Sequence, residues 1–358
     1  MSGQASGRAG GGMDDPAGTV APIEEDWAAA LGLLAPDRAA GPPDVTLLCH
    51  VSPDGDALGS MLALGIALHR LGVPVRCSWG NDPLVVPPAY RGLAGLELVV
   101  PAAEVPARPD VVVTLDTGSI DRLGILAGQA KAARALLVID HHASNTRFGT
   151  HHLLDTAAAA TAVLVSELID RLGVPYDVDI AAGLYTGLTT DTGSFKYPAT
   201  TPSVHGLAAR LLATGLRHDL IARAVWDTHP AGYLRVLGAA LDRLRLDPAA
   251  VGGLGAAWTW TTADDLRGHD VLMEEIEGVI DVVRTAEEAE VAIVCKGDLD
   301  GTLKVSTRSK GQVDVGAACV ALGGGGHRFA AGFTSCDGVD ATVGRLLALL
   351  AEAPHLSS

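Results

Sequence analysis

The segment LLVIDHHASNTRFG at residues 136–149 constrains the fold more than any other part of the chain. Four apolar residues in succession predict a buried strand of a parallel sheet. The run ends at Asp140, His141 and His142. Ligands of open α/β sheets bind just beyond the carboxyl ends of the strands, so an acid and two imidazoles at this point indicate a functional site.

Three further segments place acidic or imidazole side chains after an apolar run. The segments VTLLCHVSPDGDALGS at residues 45–60 and DVVVTLDTGS at residues 110–119 begin as strands, whereas GLTTDTGSFKY at residues 187–197 continues a helical pattern. Oxygen and imidazole ligands of this kind hold pairs of manganese or magnesium ions. The sequence therefore predicts an oxygen-rich dinuclear centre with the candidate ligands His50, Asp54, Asp56, Asp116, His141 and Asp191.

The DxD segment at Asp54 and Asp56 also has a simpler interpretation. An Asp before a helical segment is a common N-cap, and this alone would explain the pair. Gly55, however, lets the backbone turn so that the two carboxylates can face different metals. The three matching segments downstream favour the metal interpretation.

Several motifs resemble a known family when they are taken in order. HVSPDGDALGS, DTGS, DHHASN and TDTGSFKY resemble the four blocks of the DHH phosphoesterase superfamily. STRSKG at residues 306–311 and GGGGHRFAAG at residues 323–332 resemble the family's DHH-associated C-terminal domain. The combination is most similar to the branch of bifunctional oligoribonucleases and pAp phosphatases, which also contains cyclic-di-AMP phosphodiesterases. The resemblance covers residues 42–350.

The resemblance implies two divalent metal ions, manganese first, with magnesium or cobalt as alternatives. No protein nucleophile is then required, because two metals can align a hydroxide with the phosphorus. One ion would be held by His50, Asp54 and Asp116 and the other by Asp56, His141 and Asp191, with Asp116 bridging the two.

Asp140 and His142 are the candidate catalytic residues beside the metals. Ligating imidazoles commonly give their other N–H to a carboxylate, so Asp140 is expected to supply that contact or to hold the loop. His142 is expected to reach the substrate phosphate, and a packed loop histidine is the alternative. The small polar residues nearby are interpreted as turn residues: Ser119, Ser144, Asn145 and Ser194.

The second lobe is expected to bind the substrate. Arg308 offers a planar fork to a phosphate, which a lysine would not reproduce. The glycine run before His327 predicts a loop whose bare backbone can approach an anion. Residues 296–328 hold five basic residues against three acids, which predicts a locally basic lobe. The candidate substrate-binding residues are His142, Arg308, Ser309, Gly325, Gly326 and His327.

The net charge limits the class of substrate. The chain has 26 basic and 42 acidic residues, a net charge of −16, which opposes binding along a long polyanion. The resemblance implies short oligoribonucleotides, 3′-phosphoadenosine 5′-phosphate (pAp), and cyclic-di-AMP or its linear product pApA. A family II inorganic pyrophosphatase is the alternative. A nucleotide sensor on an inactive scaffold is disfavoured, because all six ligand types are present.

The expected fold class is α/β, with a mainly parallel sheet flanked by helices, a smaller α/β second lobe and a cleft between them. The expected parts are a disordered tail at residues 1–22, a DHH catalytic domain at residues 23–228, a linker helix at residues 229–250 and a DHH-associated C-terminal domain at residues 251–358.

Composition also indicates where the protein works. The five cysteines are scattered without a CxxC pair, which fits a reducing cytoplasm. No secretory signal and no membrane-spanning segment are expected, and Met13 is an alternative start. Members of the family are commonly dimers, which makes a homodimer a candidate.

Overall fold

A computed structural model describes residues 20–35, 41–353 and 356 of the chain. A disordered tail is expected at residues 1–22, and residues 1–19 of it lie outside the described residues. The strands are β1 (Val45–Cys49), β2 (Val75–Trp79), β3 (Val111–Leu115), β4 (Ala135–Asp140), β5 (His151–Leu154), β6 (Arg245–Asp247), β7 (Ala256–Thr261), β8 (Val291–Gly297), β9 (Leu303–Ser309), β10 (Gly325–His327) and β11 (Ala330–Ser335). The helices are α1 (Glu24–Leu34), α2 (Gly55–Arg70), α3 (Ala127–Lys131), α4 (Thr161–Arg171), α5 (Val178–Asp191), α6 (Pro202–Leu212), α7 (His218–Trp226), α8 (Ala231–Asp242), α9 (Ala250–Gly253), α10 (Ala263–Gly268), α11 (Val279–Val283), α12 (Val315–Ala321) and α13 (Val339–Glu352).

The first sheet has five strands in the order β2-β1-β3-β4-β5, and every neighbouring pair is parallel. Strands β1, β3 and β4 are buried along their whole length, as their nearly uninterrupted apolar sequences predict. Helices α2, α4 and α5 share one large apolar core with this sheet. The α/β fold class is confirmed, and the carboxyl ends of the three central strands meet at one edge.

The second sheet has six strands in the order β10-β11-β9-β8-β7-β6. The pair β7–β8 is parallel and the other four neighbouring pairs are antiparallel. Apolar residues of α9, α12 and α13 pack on one face, and those of α8 and α11 pack on the other. The strands that carry the expected substrate residues, β9 and β10, lie toward one end of this sheet.

Two local predictions are wrong, and one strand was not predicted. The linker helix expected at residues 229–250 ends at Asp242, and residues 245–247 form β6. The glycine run expected as a loop contributes β10, which pairs with β11. Strand β5 extends the first sheet beside β4 and had no sequence signal. All three differences involve strands that form by pairing with a neighbouring strand, and the local sequence pattern does not indicate that neighbour.

The boundaries of the expected domains stay predictions. Each sheet has its own apolar clusters, which agrees with two lobes. None of the helices in the described segments has both the length and the apolar character that a bilayer crossing requires.

Candidate metal centre and substrate cleft

His50 stands directly after β1, buried at the carboxyl edge of the first sheet. Its Nδ1 lies 2.8 Å from the carbonyl oxygen of Val51, a hydrogen-bond distance. In the tautomer that donates this bond, Nε2 keeps a lone pair for a metal. Nε2 lies 3.7 Å from Oδ2 of Asp54 and 3.7 Å from Oδ2 of Asp116.

Asp54 caps α2 and faces the metal centre at the same time. Its Oδ1 accepts hydrogen bonds from the backbone N–H groups of Asp56 and Ala57, at 3.1 and 3.0 Å. Its Oδ2 is the oxygen beside His50. The two interpretations of the DxD segment are therefore compatible, because the capping contact and the metal-facing position use different oxygens.

Asp56 is fully buried and is held by a helix that starts more than 100 residues later. Its Oδ2 accepts a hydrogen bond from the backbone N–H of Thr161 at 2.6 Å, and its Oδ1 accepts one from that of Ala162 at 2.9 Å. Oδ1 also accepts one from the hydroxyl of Ser60 at 3.0 Å. A carboxylate at the N-terminus of α4 satisfies donors that have no partner within that helix.

Asp116 lies between the two histidines of the cluster. Its Oδ1 is 3.5 Å from Nε2 of His141, and its Oδ2 is 3.7 Å from Nε2 of His50. The hydroxyl of Thr161 donates to Oδ1 at 2.9 Å. The backbone of Asp116 has a φ of 53°, a strained conformation that turns the side chain into the cluster after β3. Each carboxylate oxygen therefore faces a different candidate metal position.

His141 meets Asp191, the last residue of α5. Its Nδ1 lies 3.1 Å from the carbonyl oxygen of Ala158, and its Nε2 lies 3.0 Å from Oδ2 of Asp191. With the ring hydrogen on Nδ1, this Nε2 is a buried acceptor without a hydrogen-bond partner among the described residues. Two acceptor atoms at this distance need either a proton on Nε2 or a metal cation between them.

Burial and charge shift the pKa values of these carboxyls in opposite directions. Burial, followed by the charges of Asp116 and Asp191, raises the pKa of Asp56 well above its usual range. Burial also raises the pKa of Asp116, but the contacts of this carboxylate with His141 and His50 outweigh burial and hold its pKa well below the usual range. Such a cluster fits divalent cations, and oxygen with imidazole is the ligand set that manganese or magnesium accepts. The groups His50–Asp54–Asp116 and Asp56–Asp116–His141 each bring their ligand atoms within 4.8 Å of one another.

Asp140 is buried at the end of β4 and holds two side chains of its own motif. Its Oδ1 lies 2.7 Å from Nδ1 of His142, and its Oδ2 accepts a hydrogen bond from the Asn145 amide at 2.6 Å. Burial opposes the charged form of His142, but the bond to Asp140 and the charge of Asp116 outweigh it and raise the pKa of the imidazole. Asn145 was interpreted only as a turn residue, and its contact with Asp140 corrects that interpretation.

His327 brings the second lobe to the metal centre. Its ring stacks on that of His142, with centroids 4.3 Å apart, and its Nε2 lies 3.9 Å from Oδ2 of Asp191. Burial and the charges of His141 and His142 lower the pKa of His327 well below its usual range. These contacts therefore join β10 of the second sheet to the carboxyl edge of the first.

Arg308 and the glycines of β10 lie beside His327. Arg308 pairs in register with Ala330, which in turn pairs with His327. A Cβ on Gly326, whose φ is 134°, would lie 2.6 Å from the carbonyl oxygen of Ala330, so only glycine fits there. A Cβ on Gly325 would meet nothing within 4 Å among the described residues.

Ser309 is placed differently from the expectation. Its buried hydroxyl donates to Oε1 of Glu290 at 2.6 Å and accepts hydrogen bonds from the N–H groups of Gly311 and Val313. The side chain therefore holds the turn after β9 instead of facing the cleft. Ser309 is removed from the substrate-binding set, since its hydrogen-bonding atoms are already used inside the lobe.

The locally basic character of the second lobe is also weaker than the residue count implied. Lys296 pairs with Glu277, Lys304 with Asp298 and Arg328 with Asp314. Arg308 has no carboxylate partner among the described residues; its Nη1 donates to the carbonyl oxygen of Thr307, and its Nε is buried without a hydrogen bond.

Comparison with known proteins gives matches in both lobes. Residues 44–188 match the N-terminal domain of the DHH family, and residues 258–353 match the DHHA1 domain. The chain is 34% identical to the bifunctional oligoribonuclease and PAP phosphatase NrnA of Thermus thermophilus, over 81% of this chain and 83% of that protein.

Two solved structures have a similar fold. An exopolyphosphatase-related protein from Bacteroides fragilis superposes with a TM-score of 0.79 at 23% identity, covering 92% of this chain and 96% of that one. RecJ of Thermus thermophilus in complex with Mn2+ superposes with a TM-score of 0.50 at 17% identity, covering 95% of this chain and 57% of that one.

Proposed function

Because this chain belongs to the DHH phosphoesterase family, we propose that it uses two divalent metal ions to hydrolyse phosphate esters in short oligoribonucleotides and in pAp. The observation that carries the proposal is the pair of ligand groups that share Asp116, with His327 of the second lobe beside Asp191. The substrates are proposed from the similarity to an oligoribonuclease and PAP phosphatase. Cyclic-di-AMP and pApA remain candidates within the same class.

The ligand roles are proposed as the family resemblance implies. When bound, the two ions supply Lewis-acid stabilisation of charge on the phosphoryl group and lower the pKa of water. Manganese is proposed as the ion, with magnesium or cobalt as alternatives, because all three accept carboxylate and imidazole. One ion would be held by His50, Asp54 and Asp116 and the other by Asp56, His141 and Asp191.

His142, Arg308 and His327 are proposed to bind the substrate phosphate. Asp140 holds Nδ1 of His142, so its Nε2 is the atom available to a phosphate oxygen. Arg308 can donate two parallel hydrogen bonds to one phosphate, and a phosphate would supply the partner that its guanidinium lacks in the described residues. Gly325 leaves room for a ligand to approach the backbone of β10.

Short substrates are proposed because cations without a carboxylate partner are few near the cleft. The net charge of −16 and the carboxylate partners of Lys296 and Lys304 argue against an extended basic track along this surface. A cytoplasmic location is proposed as well, since all five cysteines are free and four of them are buried.

An activity panel with the metal-free protein tests the function. The protein is supplemented with manganese and assayed with pAp, pApA, cyclic-di-AMP, two- to five-nucleotide RNAs and pyrophosphate. We expect turnover of pAp and short RNA that stops on chelation, and none in the Asp116→Asn variant. Faster release of phosphate from pyrophosphate than from any nucleotide would favour the pyrophosphatase alternative. Nucleotide binding without hydrolysis would favour a sensor.

A further inference from the structure

The half-buried arginines of the described residues fall into two groups. Arg76, Arg171 and Arg243 each pair with a carboxylate. Arg284 and Arg308 have no carboxylate partner among the described residues, and the Nε of each is buried without a hydrogen bond. In a chain with 42 acidic and 26 basic residues, these two guanidinium groups lack the acid that the other three have, and an anion from outside the chain could neutralise each.

Arg284 lies on the same face of the second sheet as Arg308. It directly follows α11, whose apolar residues form one cluster with Ala292 of β8. Arg308 pairs in register with Ala292, and paired residues of neighbouring strands point to the same face. The two guanidinium groups therefore extend from the face of the second lobe that carries α11.

Arg284 also reaches the first lobe. Its Cζ lies 4.9 Å from the centre of the Tyr197 ring, which belongs to the turn after α5. That ring packs on Gly193, because a Cβ on Gly193 would lie 2.4 Å from Cζ of Tyr197. Gly193 is two residues beyond Asp191, so the contact places the Arg284 side chain beside the end of the helix that supplies a candidate metal ligand.

We propose that Arg284 binds a second phosphate of the substrate, next to the phosphate held by Arg308. This inference rests on the proposed function and extends it to substrate specificity. The contact with Tyr197 orients the guanidinium and replaces only part of its lost hydration, whereas a phosphate can accept two hydrogen bonds from it. A short nucleotide with a terminal phosphate, such as pAp or pApA, supplies that group, and an unphosphorylated dinucleotide does not.

The test compares pApA with ApA, which differ by the terminal phosphate. In Arg284→Gln we expect the ratio of kcat/KM for pApA to that for ApA to fall about 10- to 100-fold, mainly through KM for pApA, as for the loss of a charge-assisted hydrogen bond. Arg345→Gln makes the same charge change on α13, on the opposite face of this sheet, and should keep the wild-type ratio. An unchanged ratio in Arg284→Gln would overturn the proposal.

A simple clamp between the lobes predicts a different result. In that case Tyr197→Leu and Arg284→Gln would lower turnover of both dinucleotides by the same factor, and this outcome also overturns the proposal. Arg284→Lys serves as a second variant if Arg284→Gln does not fold, and its ratio should lie between those of wild type and a full loss, since lysine keeps the charge without the fork.

Binding without turnover separates this inference from the proposed function. Calorimetry with pAp on the metal-free proteins, which should not turn it over, should give a Kd about 10- to 100-fold higher for Arg284→Gln than for wild type. Equal Kd values would overturn the role of Arg284 even in an active enzyme. A higher Kd in a protein that hydrolyses no nucleotide would support Arg284 and contradict the proposed function.

Discussion

Asp140 and His142 are joined by a contact of 2.7 Å between Oδ1 and Nδ1, so a buried carboxylate orients the imidazole that faces the second lobe. The other carboxylate oxygen is held by Asn145, whose amide also donates to the carbonyl oxygen of Thr117 at 3.1 Å. Within DHHASN, Asp140 thus holds His142 in place, and Asn145 holds Asp140 in place. This explains why an acid that has no place in either proposed ligand set is buried beside the metal centre.

Asp140→Asn should lower kcat while the metal content stays unchanged. An amide at this position holds the His142 ring less well, and loss of such an orienting contact costs about 10- to 100-fold in activity. Turnover of pAp and metal content by elemental analysis are measured together, with Ser144→Ala as a control in the same loop. Loss of metal in Asp140→Asn would show that this carboxylate is itself a ligand, as the group Asp116–Asp140–His142 also allows.

Asp116→Asn should remove both turnover and bound metal. One oxygen of this carboxylate faces His50 and the other faces His141, so a single substitution affects both proposed positions. Metal content per chain and pAp turnover are the measurements. Asp121→Asn, an exposed acid a few residues later, is the matched control. A variant that keeps two metals and wild-type turnover would contradict the dinuclear proposal.

Two glycines of β10 should respond differently to alanine. Gly326→Ala places a methyl group 2.6 Å from the carbonyl oxygen of Ala330 at a φ of 134°, so we expect a lower thermal midpoint as well as weaker activity through the displaced His327. Gly325→Ala meets nothing within 4 Å and should keep the thermal midpoint. If the substrate approaches Gly325, the KM of the Gly325→Ala variant for that substrate should be the only quantity that rises. Equal thermal midpoints for the two variants would contradict this placement of the strand.

The sequence predicted the parts of the site that lie at the ends of apolar strands. His50 and Asp116 directly follow β1 and β3, the DHH residues start at the last residue of β4, and the buried apolar runs before them are visible in the chain. The residues that hold those side chains were not predicted. Thr161 is the main example, because its contacts with Asp56 and Asp116 depend on where α4 begins.

Helix α4 begins at Thr161, after the alanine run at residues 157–160, although alanine has good helical propensity. A threonine before an apolar run is the one signal that could have marked this helix start. Arg284 and Tyr197 had no signal of that kind, since their contact joins two lobes and follows from no local pattern. The prediction for Ser309 is wrong for the same reason. Its partner Glu290 lies just before the neighbouring strand β8, and no local pattern indicates that contact.

The Arg243–Asp265 pair should give the second lobe an acid-sensitive contribution to stability. The contact with Arg243 lowers the pKa of Asp265 to about 2, below its usual 3.8. The stabilisation is therefore fully present above pH 4 and is lost as the pH falls through about 2. With the Asp265 side chain only 14% exposed, the shift corresponds to about 2 kcal/mol at neutral pH.

Asp265→Asn tests this contribution through denaturant unfolding at pH 7 and pH 2.5. We expect the variant to be less stable than wild type at pH 7 and the difference to shrink at pH 2.5. Asp264→Asn is the matched control, because that carboxylate is 84% exposed and its pair with Arg267 should contribute little. A difference that is the same at both pH values would assign the effect to capping of α10 by Asp265 instead of to its charge.

Hydrolysis should be fastest for RNAs of two to about five nucleotides and should fall with length, because few phosphates can be neutralised. Arg308 and Arg284 are the half-buried arginines without a carboxylate partner in the described chain. Lys296 of β8 and Lys304 of β9 pair with acids, and Lys310 after β9 donates to the carbonyl oxygen of Ala286. A longer strand would continue from these two cations onto a surface of net negative charge and would gain little from each added phosphate.

The salt dependence of the rate should be shallow for the same reason, with a slope set by about two phosphate contacts. Initial rates are measured against RNA length at two salt concentrations with saturating manganese, and the Arg284→Gln and Arg308→Gln variants should each reduce the slope by about one contact. A steep slope, with equal or rising efficiency on a long single strand, would mean that a long strand is bound by cations outside these two, and the proposed limit on substrate length would then be wrong.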